Sequence, residues 1–128
     1  MPRVCKDLTC TGFAGTLTLG TNIRTYGSLT LASSMSIGAA AWTWTLAGRG
    51  SATLTSAGKT FPGWLIAEVG TVTQVDAAAA SGTWSTSGAT WNTAGFSVTA
   101  QAGSHSSSTI SLGASTVTLT GTRSEERR

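Results

Sequence analysis

Charged residues are scarce in this sequence. Of its 128 residues, eight are Lys or Arg, five are Asp or Glu and one is His, so that 10 % are charged, against roughly 25 % in ordinary soluble domains. Disorder requires low hydrophobicity together with high net charge, whereas here 40 % of the residues are hydrophobic and the net charge is +3. The composition therefore predicts one folded, nearly neutral domain.

Long apolar runs and a leader sequence are also missing. The longest apolar stretches, such as residues 37–42, are much shorter than the ~20 residues of a membrane-spanning helix. Residues 1–7 contain charges but no apolar segment follows them, so no signal peptide is predicted. We therefore expect a protein that is made in the cytoplasm and does not contact a membrane.

Residues that catalyse reactions or bind metals are few. Glu68 and Asp76 are the acids of the central region, and their separate positions do not predict an acid–base pair. His105 lies among serines in an expected polar loop, without an acid that would complete a triad. Cys5 and Cys10 lack further zinc ligands nearby, which leaves two free thiols or one local disulfide. We expect no catalytic residue, no metal site, no cofactor and no enzymatic activity.

Thr, Ser, Gly and aliphatic residues make up most of the chain, in alternating order. Segments such as Thr16–Leu19, Trp42–Leu46 and Thr116–Thr120 alternate apolar and hydroxyl side chains, which is typical of short strands. Many short strands suit a β-sandwich, a barrel or a solenoid. Their similar composition and the lack of Asn-Gly or Asp-Gly hairpin turns favour the solenoid. We predict an all-β fold, a right-handed parallel β-helix (β-solenoid) or a closely related trimeric β body with extended terminal arms.

The charges concentrate at the two ends of the chain. This distribution predicts an N-terminal arm at residues 1–11, a β-solenoid body at 12–122 and a basic C-terminal tail at 123–128. A nucleic-acid-binding protein would carry a basic stripe on its folded body, so we expect no nucleic acid as partner. We expect the arms to bind an acidic protein surface. The binding residues predicted in them are Arg3, Lys6, Arg123, Arg127 and Arg128.

Uncharged strands with high β propensity aggregate when their edges are open. The chain has only two prolines, Pro2 and Pro62, that could block such edges. We therefore expect an obligate oligomer, a homotrimer in which the copies cover one another. Five tryptophans are expected in the core or at the subunit interface, and the alternative is a platform that stacks on sugars. They are Trp42, Trp44, Trp64, Trp84 and Trp91.

Residues 82–121 resemble the β-helical repeats of tailed-bacteriophage structural proteins. The clearest parts are Asn92–Ala100 (NTAGFSVTA) and Leu112–Thr118 (LGASTVT), and Ala52–Phe61 followed by Trp64–Ile66 forms a similar unit. Such repeats occur in head-decoration (cement) proteins, tail fibres and tailspikes. The resemblance implies a capsid decoration protein on the virion surface that stabilises the head by bridging major capsid proteins. The alternative is a tail fibre or tailspike component that binds host-surface glycan.

Overall fold

The alternation of apolar and hydroxyl residues produces eighteen short strands. They are seen in a computed structural model that describes residues 3–18, 20–38 and 42–119, with side chains from residue 6 onward. No α-helix occurs in these ranges, and hence no helix there is long and apolar enough to cross a membrane.

The strands recur in groups of three, and each group is one turn of the chain, called a rung here. Rungs 1 to 3 contain β1 (Arg3–Cys5), β2 (Leu8–Thr9) and β3 (Thr16–Leu17); β4 (Ile23–Thr25), β5 (Leu29–Thr30) and β6 (Ser36–Ile37); β7 (Trp42–Leu46), β8 (Ser51–Thr55) and β9 (Thr60–Phe61). Rungs 4 to 6 contain β10 (Gly63–Glu68), β11 (Thr71–Gln74) and β12 (Ala78–Ala80); β13 (Thr83–Ser87), β14 (Thr90–Asn92) and β15 (Val98–Ala100); β16 (Ala102–Ser106), β17 (Thr109–Ser111) and β18 (Val117–Leu119).

Equivalent strands of successive rungs pair in parallel and form three lengthwise faces. Face A consists of β1, β4, β7, β10, β13 and β16, and face B of β2, β5, β8, β11, β14 and β17. Face C consists of β9, β12, β15 and β18, with β3 and β6 forming a separate pair. Trp44 lies beside Leu65, and Leu65 beside Trp84, so these register partners are 21 and 19 residues apart. The predicted parallel β-solenoid is confirmed.

The alternation within each strand directs one set of side chains into the solenoid. On face A the inward column runs through Ile23, Trp44, Leu65 and Trp84, all of which are buried. Aromatic rings pack edge to face between the faces, with ring centroids 5.0 Å apart for Trp44 and Phe61 and 5.4 Å for Trp84 and Trp91. Such edge-to-face pairs contribute about 0.5–1.5 kcal/mol beyond the area they bury.

Within the arm predicted at residues 1–11, residues 3–5 and 8–9 form strands of the solenoid. β1 pairs with β4, with Arg3 beside Ile23, and β2 pairs with β5, with Leu8 beside Leu29. The physical reason is that Leu8 continues an apolar column of face B. Strands of two and three residues are too short to show the alternating pattern by which a strand is predicted. The predicted tail at 123–128 lies outside the described residues.

Candidate functional site

The five tryptophans occupy three different environments. Trp44, Trp84 and Trp91 are core residues, each at most 2 % exposed. Trp42 is partly buried, whereas Trp64 is 47 % exposed and points outward from β10. The three core residues are therefore not available to a partner. The outward direction of Trp64 could have been predicted from the sequence. In an alternating strand Leu65 takes the inward position, so its neighbour Trp64 points outward.

Trp64 stands on the outer side of face A among hydroxyl groups. Its register partner in rung 3 is Thr43. In rung 5 the corresponding position is Thr83, because Leu65 pairs with Trp84. None of these outward positions carries a charge. An exposed indole ring on an uncharged sheet can pack onto another protein or stack on a sugar ring. This region is called the Trp64 surface below.

One ion pair crosses face A beside this surface. The Arg24 Nη1 and Glu68 Oε1 atoms are 2.6 Å apart and link rungs 2 and 4. The hydrogen bond to Glu68 raises the pKa of the Arg24 guanidinium. Thr45 is the register partner of Arg24 in rung 3 and of Ile66 in rung 4, and it is only 7 % exposed although it faces outward. The pair therefore covers part of the sheet, and Glu68 already has a structural partner.

Asp76 has a different structural partner. Its carboxylate accepts hydrogen bonds from the backbone N–H groups of Ser56 and Ala57, each at 2.7 Å. Ala57 has a φ of 53°, in the left-handed region that most residues avoid. Asp76 therefore holds a strained turn of the preceding rung. Glu68 and Asp76 thus serve separate structural contacts.

No described residue covers the far end of rung 6, which is called the open end below. β16, β17 and β18 each form the last described strand of their sheet, so their outer edges pair with no other described strand. Leu112 is 40 % exposed and Leu119 is 51 % exposed, whereas Ala100, the register partner of Leu119 in rung 5, is 1 % exposed. This end forms an apolar cavity of about 310 Å³ that opens to solvent. Its lining comprises Trp84, Gly103, His105, Ile110, Leu112, Val117 and Leu119.

His105 belongs to this open end, contrary to the expectation of a polar loop. It lies in β16 as the register partner of Thr86, in an inward column that runs through Thr25, Leu46 and Ala67 in earlier rungs. Its Nδ1 atom is 2.8 Å from the Thr86 hydroxyl, and its ring centroid is 4.5 Å from that of Trp84. Partial burial against these neighbours lowers the pKa of His105. The segment forms a strand because Gly103 and His105 extend the inward columns of rung 5.

The predicted basic binding residues are only partly described. Arg3 contributes its backbone to β1, and Lys6 is exposed just after that strand. The neighbouring Asp7 accepts a hydrogen bond from the Ser28 N–H at 2.6 Å. Rung 1 therefore presents charged residues at the N-terminal end. The other three predicted residues lie outside the described ranges: Arg123, Arg127 and Arg128.

Cys10 is a free, buried thiol. It is 9 % exposed, and burial raises its pKa. A higher pKa means a smaller thiolate fraction, so this thiol is chemically inert at neutral pH. Among the side chains described, no group of three His, Cys, Asp or Glu residues is placed to hold a metal ion.

No protein-family profile matches the chain, and neither a curated protein nor a solved structure matches it. Two surfaces of the described chain are suited to bind a partner, the Trp64 surface and the open end. Both are uncharged apart from partly buried His105, and both expose apolar side chains.

Proposed function

We propose that the protein is a capsid decoration (cement) protein of a tailed bacteriophage. In this proposal it acts on the virion surface, as a homotrimer that stabilises the head by bridging major capsid proteins. The observation that supports it most is a parallel solenoid that exposes apolar side chains on uncharged surfaces, which suits assembly with other proteins. The likeness of residues 82–121 to bacteriophage repeats supplies the class of particle.

The Trp64 surface is the proposed subunit contact of the trimer. Aromatic residues surrounded by neutral contacts are frequent energetic centres of protein interfaces. About half of the indole surface is still exposed, and covering roughly 120 Å² of it would contribute about 3 kcal/mol per subunit at about 25 cal/mol per Å². Because this contact is apolar, its strength should depend little on salt.

The basic ends are the proposed capsid contacts. Arg3 and Lys6 lie at the first rung, and Arg123, Arg127 and Arg128 lie in the C-terminal segment. Charged contacts at an exposed surface are screened by salt within about 10 Å at ionic strengths near 0.1 M. Binding to heads should therefore weaken with salt, while the trimer persists.

The test uses phage heads that lack decoration protein and a matched pair of variants. Trp64→Thr removes the exposed ring, whereas Thr53→Ala changes an exposed residue on the outer side of face B. We expect the wild-type chain and Thr53→Ala to co-sediment with heads to saturation and to raise the temperature at which heads rupture. Trp64→Thr should sediment as smaller species and bind heads less well. A chain that never saturates heads would refute the proposal.

A glycan-binding component of a tail fibre or tailspike is the second candidate. The same exposed indole ring supports it, because sugar rings stack on flat aromatic side chains. Copy number in purified virions separates the two functions. A decoration protein is present in amounts comparable to the major capsid protein, whereas a fibre component is present in far fewer copies. Host-surface oligosaccharides that protect Trp64 from acrylamide quenching, with no such protection in Trp64→Thr, would favour the fibre.

A further inference from the structure

The open end of rung 6 lacks the features that normally prevent two strand edges from pairing. Natural proteins protect open edges with charged residues, proline or a covering segment. Residues 102–119 contain no Asp, Glu, Lys, Arg or Pro. Beneath the edge lies the apolar cavity of about 310 Å³, with Leu112 and Leu119 substantially exposed at its rim. Such an end has the properties of an interface.

The neighbouring segment of the chain is chemically unsuited to cover this end. Residues 120–128 (TGTRSEERR) contain three arginines, two glutamates and no aliphatic or aromatic residue. These side chains make no favourable apolar contacts with the cavity lining, and burying their charges there would be unfavourable.

The N-terminal end of another copy is also a poor match. Lys6 is exposed in rung 1, and in a head-to-tail stack its charge would lie close to the uncharged rung 6. The corner between faces A and B also differs in size at the two ends. Leu8 follows Cys5 by three positions in rung 1, whereas Leu112 follows His105 by seven positions in rung 6. Rung 6 of a second copy presents the same outline, the same apolar lining and no repelling charge.

We propose that the open end binds the open end of a second copy about a two-fold axis. The axis passes through the outer edge of β16 at its central residue, Ser104. The two β16 strands pair antiparallel, and β17 of each copy pairs with β18 of the other. Leu112 of each copy then lies beside the axis near Leu112 of the other, Leu119 packs against the start of β17 of the second copy, and each cavity is closed. An interface of this kind is self-complementary and does not extend into a fibre.

This contact is independent of the proposed function. The proposed trimer uses the outer side of face A, around Trp64, whereas the two-fold contact uses the end of the solenoid. Variants at the two places therefore separate the two proposals.

Disulfide trapping tests the position of the two-fold axis. Residues that face each other in an antiparallel pair have Cα atoms about 4.5–5.5 Å apart, within the ~4.4–6.8 Å that a disulfide spans. Ser104→Cys is placed in a Cys5→Ser/Cys10→Ala background whose fold is checked by circular dichroism. Thr53→Cys in the same background is the control, an exposed position in β8 far along the chain from rung 6.

We expect Ser104→Cys to give a covalent dimer of two 12.9 kDa chains on a denaturing, non-reducing gel, at least tenfold faster than Thr53→Cys. Equal rates would overturn the proposal. Sedimentation of Trp64→Thr variants gives a second test that needs no cysteine. Adding Leu119→Glu should weaken association at least tenfold, whereas adding Val75→Glu, a control with similar exposure, should not. Equal weakening by the two glutamates, or none by Leu119→Glu, would also overturn it.

Discussion

Gln74 is a buried polar residue whose replacement by leucine should destabilise the solenoid. It is 2 % exposed and occupies a position of face B where Leu54 stands in the preceding rung. Its Oε1 accepts a hydrogen bond from the Trp91 indole N–H at 2.7 Å, and its Nε2 donates to the carbonyls of Asp76 and Ser97 at 3.0 and 3.2 Å. A leucine would restore the aliphatic column but remove all three hydrogen bonds.

The size of the effect follows from which groups lose their partner. The Ser97 carbonyl still accepts a hydrogen bond from Ala78 N–H at 3.0 Å, so its loss is small. Trp91 is fully buried, so its indole N–H is left without an acceptor. An unsatisfied buried donor costs about 1–3 kcal/mol, and the added apolar side chain returns part of this. We predict that Gln74→Leu lowers the free energy of unfolding by about 1–3 kcal/mol.

The assay is urea unfolding followed by far-UV circular dichroism. The control is Thr53→Leu, an exposed substitution that should change stability by no more than about 0.5 kcal/mol. In a double-mutant cycle with Trp91→Phe, Gln74→Leu should cost less than it does alone, with a coupling of about 1–2 kcal/mol. A Gln74→Leu protein as stable as wild type, or a cycle without coupling, would show that these hydrogen bonds do not stabilise the fold.

Three further predictions concern His105, Gly70 and Cys10. The pKa of His105 is lowered in the folded state. Its contribution to the free energy of unfolding should therefore be fully present above the usual pKa of about 6.5 and should be lost as the pH falls below that value. Urea titrations at several pH values should show this loss in the wild-type protein and a smaller loss in His105→Gln. Gly70 has a φ of +72°, and an added Cβ would meet the backbone of Gly48, so Gly70→Ala should lower the unfolding free energy by about 2–4 kcal/mol. Gly58→Ala, with a φ of +78° and open space, should cost only about 1 kcal/mol, and equal losses would contradict the account. Buried Cys10 should react with a thiol reagent in the folded Cys5→Ser protein far more slowly than after denaturation, and similar rates would contradict its burial.

Strong alternation was enough to predict the solenoid, but its weaker strands were not predictable from pattern. Trp42–Leu46 alternates clearly and forms β7. Ala78–Ala80 has only small side chains, yet it forms β12 because Ala80 lies between Phe61 of one rung and Ala100 of another. Corners of different length make the spacing of register partners vary from 19 to 25 residues, so no fixed repeat is visible.

The candidate surfaces depend on tertiary position, which explains why the sequence indicated them incompletely. Tryptophan content suggested interfaces, but which rings point outward depends on the register of each strand, and only Trp64 is substantially exposed. The open end was invisible, because Leu112 and Leu119 carry the same pattern as buried leucines in earlier rungs. Their exposure follows only from their place in the last described rung.

In both proposals, other molecules complete the uncharged surfaces of the solenoid. Sedimentation equilibrium of the full chain over a range of micromolar concentrations tests this most directly. The account predicts assemblies heavier than the 12.9 kDa chain, which lose mass when Trp64→Thr and Leu119→Glu are combined. A single, soluble 12.9 kDa species throughout that range would contradict it.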